Sequence, residues 1–303
     1  MNKKIARRGL SWEKKKSLWG WFFILPWLIG ALFFFLVPMG QTVAYALCKI
    51  RVTPDGFQMD YVGFSNIMNF FTTDPQFLPN LANTILGVFP QLILIISFSL
   101  FVAVLLKEKF HGRTLARALF FFPVIIASGI VITILKENIM ATGAEIANAG
   151  GTTYLFKAPD YTEFFMELGL PHQVLQTLAG IINMMFDLTW KAGVQILLLL
   201  AAINSIPSSS YEVANIEGAT EWEKFWKITF PLVSPSLFVA VIYTIIDSFT
   251  DYGNAIMTTI LNYSNRGNYS YSAAVGLIYF VCILLIIGLV TLLLRKGIHY
   301  END

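Results

Sequence analysis

Charge is what this sequence has least of. Only 13% of its 303 residues are charged, about half the share in an ordinary soluble domain, so much of its surface is not built to meet water. Cysteine is almost absent. Cys48 and Cys282 are the only two, and Cys282 lies inside an apolar run; a disulfide framework is excluded, and free packing thiols are expected. The three histidines, His111, His172 and His299, are scattered, so no metal site is expected. A net charge of +2 is too small to argue for nucleic acid. The chain has no G-x-x-x-x-G-K-[ST] phosphate loop and no catalytic constellation, so neither nucleotide hydrolysis nor other enzyme chemistry is expected of it.

Apolar residues fill the gap, at 56% of the chain with a mean hydropathy of +0.63. A helix needs roughly 20 apolar residues to cross a bilayer core of about 30 Å. Six runs qualify, near residues 19–46, 81–106, 118–135, 188–206, 236–260 and 273–294. The fold class expected is therefore an all-α polytopic membrane protein with about six transmembrane helices. Residues 1–18 form a basic N-terminal segment, and 19–303 the transmembrane domain. Residues 171–189 read as an amphipathic helix at the outer surface leading into the fourth span. The first run exceeds the 7–15 residues of a signal peptide and lacks a cleavage site. The bulky Leu47 before Cys48 likewise spoils a lipoprotein box, so this run reads as a retained span.

Basic residues orient the spans. Seven precede the first, Lys107, Lys109, Arg113 and Arg117 lie in the second connection, Lys224 and Lys227 in the fourth, and Arg295 and Lys296 in the tail. The odd-numbered connections are acidic instead, with Asp55, Asp60, Asp74, Glu145, Asp160, Glu163 and Glu167. Both termini are thus expected in the cytoplasm, and the basic start can also attract anionic lipid.

One cytoplasmic connection, 207–235, is unusually well patterned: PSSSYEVANIEGATEWEKFWKITFPLVSP. Ser209 with Glu212, and Thr220 with Glu223, have the spacing of capping boxes. Gly218 between them can take positive φ and end one helix before the next starts. Pro231 is expected to stop the second helix, with Trp222, Phe225, Trp226 and Thr229 on one side and Glu223, Lys224 and Lys227 largely on the other. Two short helices at the cytoplasmic face make a docking knob. The first is acidic, which suits a basic protein groove better than an anionic leaflet.

These residues resemble the EAA loop of the membrane subunits of ATP-binding-cassette importers, in which Glu-Ala-Ala is followed after three residues by Gly and about nine residues later by Ile-x-Leu-Pro. Here stand Glu212, Val213, Ala214, then Gly218, then Ile228, Thr229, Phe230 and Pro231. Val213 replaces the first alanine and Phe230 the leucine, both keeping apolar character. The flanks resemble the carbohydrate-importer (maltose-type) branch: Trp190 and Gly193 open the fourth span, Ile206 and Pro207 close it, Tyr211 precedes the glutamate, and Ala219, Trp222 and Phe225 follow the glycine. The resemblance implies a permease subunit in a bacterial plasma membrane, docked to its ATPases through Tyr211, Glu212, Ala214, Gly218, Ala219, Trp222, Phe225 and Pro231. It further implies a second permease, two ATPase subunits that carry ATP and Mg, and an extracellular solute-binding protein. No cofactor is implied in this chain.

Ionisable residues inside spans are costly and mark pathways. The fifth span carries Asp247 and Asp251 four apart, with Tyr243 a turn before and Asn254 a turn after. Tyrosine faces and carboxylates suit sugar C–H surfaces and hydroxyls, and Phe249 with Asp251 resembles the Phe-x-Phe-Asp stretch of sugar permeases. Asn183, Asp187 and Trp190 are weaker candidates. The connection 138–171 is expected to help receive the binding protein. An importer of a non-sugar solute such as glycerol phosphate is the near alternative. An ion-gradient transporter is the distant one; it would need inverted repeats, and none is evident.

Overall fold

The computed structural model describes residues 12–53, 56–72, 74–108, 110–127, 171–251 and 253–295. Helices dominate, as expected, with one addition: the first connection holds an antiparallel hairpin. In chain order the elements are α1 (Trp12–Ala31), a π turn (Leu32–Leu36), α2 (Val37–Leu47), β1 (Cys48–Thr53), β2 (Gly56–Tyr61), α3 (Ser65–Thr72), α4 (Phe77–Lys107) and α5 (Arg113–Ala127). Then follow α6 (His172–Ser205), α7 (Ser208–Ile216), α8 (Glu221–Lys224), a second π turn (Phe225–Thr229), α9 (Phe230–Thr250), α10 (Ala255–Asn265) and α11 (Tyr269–Leu294). Among the described residues, five helices are long and apolar enough to cross a membrane: Trp19–Leu47, Phe77–Lys107, Gln173–Ser205, Glu221–Thr250 and Tyr269–Leu294. Of the third expected span, 118–135, only the part to Ala127 is described, and it is helical. Most of the 138–171 connection lies outside the described residues, as does the chain before Trp12.

The contacts divide into two units, residues 1–73 with 262–278, and 74–261 with 279–303. In the first, β1 pairs with β2 from Cys48↔Tyr61 to Thr53↔Gly56. Buried Asn66 donates to the carbonyls of Ala46 and Cys48 at 2.9 and 3.0 Å, satisfying backbone acceptors left where α2 gives way to strand. Phe70 packs edge-on against both Tyr263 and Tyr271.

The second unit holds the core. Ile95, Val102, Ala103 and Leu106 of α4 meet Leu188, Ala192, Ile196, Leu199, Leu200 and Ile203 of α6, with Val233 and Ala240 of α9. The α6 residues recur at three- and four-residue steps, which places them on one face. The alanines allow close helix approach in lipid. The opposite faces carry exposed Ile93, Phe101 and Leu105 on α4, as a lipid solvent permits. Gln195 Nε2 donates to Thr244 Oγ1 at 3.0 Å, both fully buried, adding a polar link between α6 and α9.

Four sequence-based expectations are corrected. The fifth span does not run from 236 to 260: its helix begins at Glu221 and stops at Thr250. Asp251 is extended (φ −60°, ψ 126°) and accepts the Gly253 amide at 2.9 Å, while Asn254 Oδ1 takes the Ile256 amide at the start of α10. Aspartate and asparagine offer the backbone local partners that compete with the helix, so Asn254 lies beyond the helix and not one turn along it. Pro231 does not stop the second loop helix. The preceding π turn, with Phe230 N–H on the Phe225 carbonyl, widens the ladder and makes room for a ring that would otherwise crowd the carbonyl four residues back. Pro38 follows the first π turn in the same way. The Ser209–Glu212 box does not form, because α7 starts earlier, at Ser208, with extended Pro207 at its N-cap and no side-chain cap. Finally, the face assignment of the second helix is rotated. Lys224 and Thr229 are buried while Trp222 is 70% exposed. The stretch 171–189 is continuous with the fourth span in one helix that starts at His172.

Candidate functional site

The 207–235 segment begins with α7 and turns sharply at Gly218. The turn is a Schellman motif: Ala219 N–H reaches the Ala214 carbonyl at 2.9 Å and Gly218 N–H the Asn215 carbonyl at 3.1 Å, with Gly218 at φ +77°. A left-handed residue closes such a motif, which explains the glycine. The next helix opens on the capping box foreseen from the sequence. Glu223 N–H donates to Thr220 Oγ1 at 3.3 Å, and Thr220 N–H to Glu223 Oε2 at 3.0 Å. Lys227 pairs with the same glutamate at 3.1 Å. From Glu221 the helix then runs through the π turn to Thr250, about 45 Å at 1.5 Å per residue.

The expected docking residues divide by direction. Glu212 and Trp222 face out, Gly218 is exposed at the turn, and Ala219 and Pro231 are partly covered. Ala214 is buried, while Tyr211 and Phe225 are half-buried and line a surface concavity. One outward residue was not foreseen, Ile216, 86% exposed; it stands three residues from Val213, which takes the place of the motif's first alanine and is 55% exposed. That three-residue spacing on a short polar helix is the signal that could have found it. Beside α7 lies a concavity of about 640 Å³ lined by Lys107, Glu108, Tyr211, Glu212, Glu221 and Lys224 among others. Lys107 Nζ sits 3.5 Å above the Tyr211 ring, so the end of α4 and the 207–235 segment share one end of this unit. The two arginines after α4 brace that end, Arg113 Nε and Arg117 each donating to the Leu106 carbonyl at 2.8 and 3.1 Å.

A polar cleft of about 230 Å³ lies at the far end of α9, lined by Asn83, Thr84, Gln91, Lys191, Ser248, Asp251 and Asn254 with intervening glycines and Val88. Of the five pathway candidates, Asp251 and Asn254 line it. Phe249 is fully buried, edge-on to Tyr279 at 5.6 Å, and is a packing residue. Tyr243 and Asp247 lie on α9 outside the cleft lining, at 37% exposure and half-buried respectively. Lys191 Nζ meets Asp251 Oδ2 at 2.7 Å. Asn254 is engaged by Thr84 at 3.3 Å and by Tyr279, whose own hydroxyl donates to the Phe249 carbonyl at 3.0 Å. Lys191 was missed in the sequence, although a lysine within an apolar span is itself the signal. Asp187 joins Lys191 in lining an adjoining cleft of about 440 Å³, and Trp190 stacks on Phe186 at 6.2 Å. Asn183 is exposed.

The sequence profile of the family described as the binding-protein-dependent transport system inner membrane component matches residues 64–298. The chain belongs to that family. It is therefore a membrane-embedded transport component, a permease subunit of the ATP-binding-cassette class, and not an enzyme. Among its relatives are the probable ABC transporter permease protein YesP of Bacillus subtilis (strain 168), 27% identical over 95% of this chain and 94% of that protein. Another is MsmF of Streptococcus mutans, named as a multiple sugar-binding transport system permease protein, 28% identical over 92% and 94%. The fold is similar to a chain of a bacterial ABC transporter involved in the import of the acidic polysaccharide alginate, with a TM-score of 0.60, 20% identity, and coverage of 94% of this chain and 98% of that one.

Proposed function

We propose that this permease forms one half of the translocation pore of an ATP-driven, binding-protein-dependent importer of a neutral sugar or oligosaccharide. A second permease completes the pore, two ATPase subunits carry the ATP and Mg, and an extracellular binding protein delivers the solute. The observation that carries the reading is the outward tip of the 207–235 segment. Exposed Val213, Ile216 and Trp222 stand beside Glu212 and Glu217, on an element held to the helical core by Lys107 and Thr229. An apolar tip edged with carboxylates suits a partner groove with apolar walls and basic rims. The basic residues of the second and fourth connections meet at this end, which supports its placement in the cytoplasm with both termini.

Sugar relatives such as MsmF favour a carbohydrate, and the cleft favours an uncharged one. Its one lining cation among the described residues, Lys191, is already paired with Asp251, so an anionic solute such as glycerol phosphate meets no free positive charge there. Asn83, Thr84, Gln91 and Ser248 offer donors and acceptors for hydroxyls. Co-purification tests the docking reading: the intact assembly should retain its ATPase subunits. Glu212→Lys or Gly218→Asp should reduce that recovery, and ATP-driven uptake with it, about tenfold or more, the effect of reversing a charge at a docked surface. Uptake that persists without the ATPases and follows a proton or sodium gradient would refute the importer reading.

A further inference from the structure

Tyr211 links its own helix to two other elements. It is borne on α7, its ring lies under Lys107 at the end of α4, and its hydroxyl is 2.8 Å from Thr229 Oγ1 in the π turn. Thr229 is buried, and its own hydroxyl reaches back to the Lys224 carbonyl at 3.4 Å. Either hydroxyl can donate in the Tyr211–Thr229 pair; when Thr229 donates to the Lys224 carbonyl, Tyr211 donates to Thr229. Between α7 and the long helix runs only the Gly218 turn, where an added Cβ would meet nothing within 4 Å. Its hydrogen bonds stay within the turn and the helix ends that flank it, and Gly218 and Thr220 are exposed, so it is the first weak place of the segment. The π turn is the second weak place, since its hydrogen-bond ladder departs from the α pattern. The Tyr211–Thr229 bond spans both.

We propose that Tyr211 is a positioning residue that makes α7, the π turn and the end of α4 move as one body. A push on the outward tip of α7 then travels up the Glu221–Thr250 helix towards the polar cleft and is not absorbed at Gly218. The Lys107 contact adds the α4 end to this body; a cation over an aromatic face is attracted by the ring quadrupole and resists sliding off it. The arrangement rests on the ATP-driven reading above and assigns Tyr211 a role inside the subunit rather than at the partner surface.

The test uses the complete transporter in proteoliposomes and reads solute moved per ATP hydrolysed. Tyr211→Phe removes the tyrosine hydroxyl, Thr229→Val removes the threonine hydroxyl together with its Lys224 contact, and Thr229→Ser keeps it. The two disabling variants should each lower the ratio at least about threefold, on the scale of one hydrogen bond, with ATPase subunits still co-purifying. The Tyr211→Phe/Thr229→Val double variant should be no worse than either single one, as for two halves of one interaction. Thr229→Ser should behave as the parent. An unchanged ratio in Tyr211→Phe overturns the proposal, as do additive losses in the double variant. Loss of the ATPase subunits in either single variant also overturns it, because the pair would then be shaping the docking surface. A parent transporter without ATP-driven uptake would instead overturn the importer reading itself, which keeps the two failures apart.

Discussion

Single residues decide the two ends of the continuous Glu221–Thr250 helix. At the cleft end, Asp251 both ends the helix and neutralises Lys191. The side chains are 17% and 25% exposed, between a surface pair worth under about 1 kcal/mol and a fully buried one whose disruption costs about 3–5 kcal/mol. Asp251→Asn should therefore lower thermal stability in detergent by an amount between those limits. Exchanging the pair, Lys191→Asp with Asp251→Lys, should recover at least about half of it, since the attraction survives while the local turn does not. Equal losses in the single and exchanged proteins would show that Asp251 acts through its turn alone. The unpaired Lys191 of Asp251→Asn should also let anionic solutes compete for uptake, which the parent resists. At the other end, Gly218 was legible in the sequence because only a residue at ease with positive φ closes that turn. The Lys191 partnership was not, because Lys191 and Asp251 stand on different helices and sequence distance says nothing of their 2.7 Å separation.

Elements show where sequence patterns compete. Thr220 and Glu223 form their box, while Ser209 and Glu212 have the same spacing and do not. Pro207 sets an extended backbone one position earlier, and α7 starts from there. Pro231 reads as a stop in the sequence, yet the π turn carries the helix past it. That detour should depend on the ring. Pro231→Ala restores an amide that can bond to the Lys227 carbonyl, letting the turn close towards α geometry. Loss of the extra π residue would rotate the segment before it by about 100° relative to α9. Hydrogen exchange across 225–231 should slow, and uptake should fall with membrane abundance unchanged. If exchange and uptake both stay at parental levels, the turn is held by its surroundings and not by proline. The rotated face of the second helix has a related cause: buried Lys224 finds Glu221 as its partner, so a lysine can point inward where polarity alone assigns it outward.

At the scale of the whole molecule, the proposed sidedness is open to direct labelling. In a Cys48→Ser/Cys282→Ser background, Ile216→Cys should react with a membrane-impermeant maleimide in inside-out vesicles and not in sealed right-side-out cells. Bound ATPase subunits should protect it. Labelling from the outside would reverse the orientation, and equal labelling with and without the ATPases would remove Ile216 from the docked surface. Membrane residence, helical class and the two-helix form of the 207–235 segment were set by the sequence itself, because lipid demands long apolar runs and because capping and glycine chemistry act over a few neighbouring residues. The tertiary structure alone decided what faces what. Phe249 is packed and fully buried, Tyr211 is in contact with Thr229 and Lys107, and Lys191 is paired with Asp251. Each of these rests on contacts between helices distant in the chain, which local pattern does not encode.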